Sequence, residues 1–150
     1  QFVESRITEG ERLKEDLFDK LDGMIKDVDA IEDRYPQIMT EYREKLTLKV
    51  EELLGDAQME EGRIAAEVIL FADKICTDEE TVRLRSHIES MREELLSGGS
   101  VGRKLDFLAQ EMNREANTIL SKANDLETSN RAINLKTEIE KVREQIQNIE

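Results

Sequence analysis

The chain has 150 residues, enough for one domain or a compact pair of subdomains, with 38% charged and only 4% aromatic residues. A single Cys excludes a disulfide scaffold and a CxxC zinc site, and a single Pro argues against a many-stranded β protein. The net charge of −13 is uneven: residues 1–82 hold 23 acids and 11 bases, whereas residues 83–124 hold 6 acids and 7 bases. An acidic chain repels polyanions at long range, so a nucleic-acid contact is expected only from that middle segment, or with a cation or another domain in support.

The longest apolar run, residues 68–72, is far too short to cross a membrane. The first residue is Gln1 rather than Met, so we read the chain as part of a longer protein. The free Cys76 suits a reducing compartment.

Helical periodicity dominates the chain in order. Val3, Ile7, Leu13, Leu17, Leu21, Ile25, Val28 and Ile31 form one stripe that the spacing ends near Tyr35 and Pro36. Pro36 then opens a second helix through Met39, Tyr42, Leu46, Val50 and Leu53 to a stop at Gly55, giving a helical hairpin over residues 1–55. Ile64, Val68, Phe71 and Ile75, widened by Ala65, Ala66, Ile69 and Leu70, predict a buried central helix. Thr77 and Glu80 have the spacing of a capping box, opening a helix that carries Val82, Leu84, Ile88, Met91 and Leu95. After Ser97-Gly98-Gly99-Ser100, a helix with Val101, Leu105, Leu108, Met112 and Ile119 follows, then a weak break over 124–130. The last helix shows a heptad seam of Ala132, Leu135, Ile139, Val142, Ile146 and Ile149. The fold expected is all-α, five to six long amphipathic helices in an antiparallel bundle of helical hairpins, with residues 56–150 as its core.

Chemistry concentrates in Gly98 to Lys122. Beside the apolar stripe runs a row at 103, 106, 110, 114, 117 and 121, bearing Arg, Asp, Gln, Arg, Asn and Ser, and a second row at 107, 111, 115, 118 and 122. Asn is a poor helix former and needs a reason to sit mid-helix. Glu111 and Glu115 share a face, where like charges repel unless a cation intervenes: Arg114, or a divalent metal. The plain alternative is a solvated pair. His87 is the only histidine. A lone His is commonly a packing residue, but a hairpin at the glycine loop brings His87 level with the Glu111–Glu115 row, where it suits an acid, a base or a metal ligand. The segment from Gly98 to Lys104 reads either as a hinge or as a phosphate cradle, because basic residues in a helix's first turn run against the macrodipole unless an anion arrives.

The segments Gly102-Arg103-Lys104-Leu105-Asp106-Phe107-Leu108 and Gln110-Glu111-Met112-Asn113-Arg114-Glu115-Ala116-Asn117-Thr118 closely resemble the YicC/YloC family of bacterial endoribonucleases. The likeness extends to Phe71-Ala72-Asp73-Lys74, to Arg83-Leu84-Arg85-Ser86-His87, to Ser121-Lys122 and to the run from Lys141 to Glu150. Leu120 departs from the family pattern, where Gly is expected, and so does Thr128-Ser129-Asn130. The resemblance implies a cytoplasmic, metal-dependent endoribonuclease, a homo-oligomer (a hexamer) with an N-terminal domain beyond this chain. It draws attention to the polar positions of these motifs, with His87 nearby, without fixing each role; we read His87, Glu111, Glu115 and Asp106 as catalytic residues. Glu111, Glu115 and His87 would hold Mn²⁺ or Mg²⁺, and Arg103, Lys104, Asn113, Arg114, Asn117 and Lys122 would bind RNA. Two cleavage routes stay open, metal-activated water and 2′-hydroxyl attack assisted by His87. The rival reading is a non-catalytic module that assembles subunits, through the 132–149 seam above all, or positions RNA.

Overall fold

The computed structural model describes residues 2–55, 60–98 and 102–149, with the side chains of 2–8 and 149 excepted. The stripe positions Val3, Ile7 and Ile149 and the loop residues Gly99, Ser100 and Val101 therefore lie outside the described side chains. Among the described residues every element is helical: α1 (Phe2–Leu54), α2 (Glu61–Ile75), α3 (Asp78–Ser97), α4 (Gly102–Lys122) and α5 (Leu126–Ile149). Four of these are long, and α2, with 15 residues, is short.

The first half of α1 joins α3, α4 and α5 in an antiparallel four-helix bundle. Each contributes an apolar stripe at three- and four-residue spacing: Leu17, Leu21, Met24, Val28 and Ile31 from α1, and Leu84, Ile88, Met91 and Leu95 from α3. Leu105, Leu108, Met112, Ala116 and Ile119 come from α4, and Leu135, Ile139, Val142 and Ile146 from α5. The core is thus not confined to residues 56–150; residues 17–31 supply one of its four walls.

Ion pairs around the core set the register. Arg83 meets Glu115 at 2.8 Å and Lys104 meets Glu94 at 2.7 Å, both between α3 and α4 and both in one antiparallel register. Arg143 meets Asp106 at 2.9 Å between α5 and α4. Asp27, buried on α1, accepts from Arg131 at 3.1 Å and Asn134 at 2.7 Å on α5. Arg85 pairs with Asp29 and Glu32, joining α3 to α1.

Four sequence expectations are corrected. The hairpin over residues 1–55 is a single 53-residue helix with Pro36 inside it. Proline removes one helical N–H and crowds the preceding turn, yet the helix continues because neighbours span the defect. The Arg34 guanidinium donates across Pro36 to Gln37 and Glu41, while the Tyr35 hydroxyl donates to the Ala72 carbonyl at 3.0 Å. Second, α2 is not central. It packs on the far half of α1, with Tyr42 stacked on Phe71 at 3.8 Å, and leaves Ile69 and Leu70 60% and 63% exposed.

Third, the capping box at Thr77 and Glu80 does not form, since Thr77 makes no side-chain cap. Glu80 is 3% exposed and turns instead to the Lys122 ammonium at 2.9 Å. A buried carboxylate gains more from a cation than from a backbone amide. Fourth, the 132–149 seam is not free for assembly: Leu135, Ile139, Val142 and Ile146 all lie in the intramolecular core.

Gly55 and Gly98 close their helices at φ 60° and 71°, a left-handed geometry that other residues adopt with strain. The weak break after α4 is real and tight: Asp125 accepts from the Thr128 amide at 3.1 Å at the start of α5. Leu120 packs against the core.

Candidate nucleic-acid interface

The inner face of α4 belongs to the bundle, so what it offers to a ligand lies on the opposite side. The residues that face solvent there are Arg103, Phe107, Gln110, Arg114, Asn117 and Ser121. Their spacing of four, three, four, three and four is a straight stripe about 27 Å long. It contains no carboxylate, in a chain of net charge −13. This is the expected polar row with one change, because Phe107 stands in it and Asp106 does not.

Asp106 is turned aside and held. It accepts from Arg143 Nε at 2.9 Å and from Gln110 at 3.1 Å. Glu115 is buried and accepts from Arg83 Nε at 2.8 Å, a contact that raises the Arg83 pKa above its ordinary value. These two carboxylates neutralise arginines of neighbouring helices and do not point into an open site. Glu111 is different: half-buried, it has one cation partner among the described residues, Arg114 at 4.0 Å.

His87 lies where the hairpin argument puts it. The register set by Arg83–Glu115 and Lys104–Glu94 makes His87 level with Glu111 across α3 and α4. Its half-buried imidazole makes no hydrogen bond or ion pair with another described residue. The ring is therefore available to a ligand at the flank of the α4 stripe.

Among the described residues, no three His, Cys, Asp or Glu side chains converge as a metal cage. Glu111, Glu115 and His87 are not brought together as a set, because Glu115 belongs to Arg83. Of the three expected ligands only Glu111 has a carboxylate not already paired at close range, and a single carboxylate holds Mg²⁺ only when water and substrate phosphate complete the shell.

The expected RNA-binding residues divide in the same way. Arg103 is exposed with no ion pair among the described residues, and Arg114 is 75% exposed at its side chain. Asn117 is also exposed, whereas Asn113 lines an open groove between α4 and α5 with Lys136, Thr137, Glu140, Lys141 and Glu144. Lys104 is tied to Glu94. Lys122 is a structural cation, bonded to Glu80 and to the Cys76 carbonyl at 3.1 Å. Arg83, which orders Glu115, was not signalled by sequence spacing, since the pair is 32 residues apart. Of the phosphate cradle, Gly98, Arg103 and Lys104 are described, and the residues between 98 and 102 are not.

The chain as a whole resembles known proteins. A protein-family model described as endoribonuclease YicC-like, C-terminal, matches residues 31–150. The chain is similar to a Clostridioides difficile (strain 630) protein named "Probable endoribonuclease YicC", 45% identical over 148 residues, covering 98% of this chain and 50% of that protein. A Haemophilus influenzae protein of the same name is 38% identical over 149 residues, covering 99% of this chain and 51% of its own length. The chain thus spans about half the length of these curated relatives. Among the described residues no helix is long and apolar enough to cross a membrane.

Proposed function

The chain belongs to the YicC-like C-terminal endoribonuclease family, and from that membership we propose that it is the helical part of an endoribonuclease whose RNA lies along the exposed face of α4. The observation that carries this reading is the acid-free stripe from Arg103 to Ser121 on an otherwise acidic chain. Arg103 and Arg114 would hold phosphates, with Gln110, Asn117 and Ser121 as hydrogen-bonding partners and Lys104 and Asn113 at the margins. The name that both relatives carry, probable endoribonuclease, supports RNA as the substrate.

His87 and Glu111 flank this stripe at one level, so a phosphate on Arg114 or Arg103 has an acid or base within reach of the helix surface. His87 would take the proton of an attacking hydroxyl or give one to the leaving oxygen. Mn²⁺ or Mg²⁺ held by Glu111 and His87 would supply Lewis-acid stabilisation of the same phosphate. Asp106 and Glu115 act at one remove, by fixing Arg143 and Arg83 beside α4.

A double charge reversal, Arg103→Glu with Arg114→Glu, tests the assignment. RNA binding should fall about 100-fold or more and its salt dependence should flatten, because two phosphate contacts are lost. Unchanged binding would remove α4 as the RNA face. The ends of the products separate the chemistries: a 2′,3′-cyclic phosphate marks 2′-hydroxyl attack, and a 5′-phosphate marks activated water.

A second element of the proposal concerns assembly. Leu48, Leu53, Leu54, Ile69 and Leu70 are all exposed on α2 and the far half of α1. Such a surface suits a partner better than water. We assign it to contacts between copies in a cytoplasmic homo-oligomer, in place of the buried 132–149 seam.

A further inference from the structure

Aromatic side chains are scarce in this chain, and the described ones are nearly all used internally. Phe18 packs against the core beneath Arg92, Tyr42 and Phe71 stack on each other, and the Tyr35 hydroxyl is bonded to Ala72. Phe107 alone among the described aromatics is exposed, at 58%. The core stripe of α4 is filled without it, by Leu105, Leu108, Ala109, Met112, Ala116 and Ile119.

Its neighbours on α4 are polar and of mixed charge: Lys104 and the half-buried Glu111 lie a turn away on one side, and the acid-free stripe runs on the other. One turn before it on the same stripe stands Arg103, one turn after it Gln110, and two turns after it Arg114. A protein-docking surface extends apolar area around an anchor residue, as the aliphatic surface of α2 and far α1 does. A ring set singly between two arginines fits a ligand that alternates anionic and planar groups, which is the chemistry of a nucleic-acid strand.

Resting on the reading of α4 as the RNA face, we propose that Phe107 stacks an unpaired base while Arg103 and Arg114 hold the flanking phosphates, so that α4 selects single-stranded RNA over duplex. The distances along the helix suit this. Arg103 and Phe107 are about 6 Å apart in rise, and Phe107 and Arg114 about 10 Å. A duplex turns its base faces inward and offers backbone and groove edges, so it cannot cover the ring.

The chain has no Trp, so Phe107→Trp makes a single fluorescent reporter at the site. A short unstructured single-stranded RNA should quench it, whereas the same strand annealed to its complement and inorganic polyphosphate should not. Phe107→Ala and Phe107→Leu should weaken single-strand binding about tenfold with duplex binding unchanged, and Phe107→Tyr should restore it. Because the ring is exposed, none of these changes should alter the folded state. If Phe107→Leu binds single strands like the parent while Arg103→Glu with Arg114→Glu still abolishes binding, the stacking role falls and the RNA face stands. If the chain binds neither form of RNA, both fall. If the Phe107 variants alter sedimentation but not RNA binding, the ring is a protein contact and the proposal is overturned.

Discussion

The bundle and the α1–α2 extension are built from the same helical grammar but are stabilised differently. In the bundle, four stripes meet and enclose a continuous core from Leu17 to Ile146, although Val82, Leu96, Leu126 and Ile133 stay exposed on its outer faces. In the extension two helices meet, and two helices can cover only one face of each other. Ile38 and Ile75 are buried there, but Leu48, Leu53, Ile69 and Leu70 are not. Apolar periodicity therefore reports that a helix has a sticky face, and the number of neighbours decides whether this chain alone satisfies it. On the reading proposed above, the outer face of α4 meets RNA and the apolar surface of the extension meets a second copy of the chain.

Core truncation should break this contrast most strongly. Ile139→Ala or Ile88→Ala, each in a filled core, should cost about 2–5 kcal/mol in urea unfolding, through lost transfer energy and a residual cavity. Ile69→Ala and Leu70→Ala should change monomer stability by less than about 0.5 kcal/mol. Sedimentation should respond in the opposite order, with Ile69→Asp and Leu70→Asp lowering the mass of any oligomer. Comparable stability losses in both regions would show that the extension is as fully packed as the bundle.

That contrast also sets how much was legible beforehand. The α3–α4 hairpin follows from one glycine punctuation and two matched stripes, and so His87 falls level with Glu111 as expected. The α4 stripe was legible to within one position, since Asp106 and Phe107 are adjacent and only packing decides which turns outward. Other features depend on contacts distant in sequence. Pro36 reads as a break until Arg34 and Tyr35 are seen bracing the helix from both sides. Glu80 reads as a cap until Lys122, 42 residues later, arrives to pair with it. Asp106 reads as a catalytic residue and Glu115 as a metal ligand until Arg143 and Arg83 are placed beside them.

The Glu80–Lys122 pair sharpens the comparison from a second side, because it sits where α3 and α4 meet the end of α2. Lys122 bonds both the Glu80 carboxylate and the Cys76 carbonyl. The other Glu80 oxygen, Oε2, is buried with no partner among the described residues. Lys122→Met should leave that carboxylate nearly unpaired, with Arg83 at 3.9 Å as its only remaining cation. The expected loss is about 3 kcal/mol in denaturant unfolding. Adding Glu80→Gln to Lys122→Met should recover part of it. If Lys122 instead served RNA alone, Lys122→Met would weaken binding with stability unchanged.

The smallest effect should come from the joint itself. Asp125 accepts from the Thr128 amide and from Arg34 Nε at 3.2 Å, and Arg34 reaches on to Glu41 past Pro36. Burial pushes the Asp125 pKa up, but Thr128 and Arg34 outweigh it and hold the pKa below the ordinary 3.8. A depressed carboxylate pKa stabilises the fold above the unfolded value and ceases to do so as pH falls through the folded value. The contribution is therefore complete above about pH 5 and fades below about pH 4. Asn at this position keeps the helix-capping oxygen and loses the charge, so Asp125→Asn should cost less than about 1 kcal/mol at neutral pH. Its stability curve should converge on that of the parent in acid, where Asp125 is itself neutral. A constant gap between the two curves from neutral pH into acid would mean that the joint is held by hydrogen bonding alone, and that the Arg34 charge does not couple the extension to the bundle.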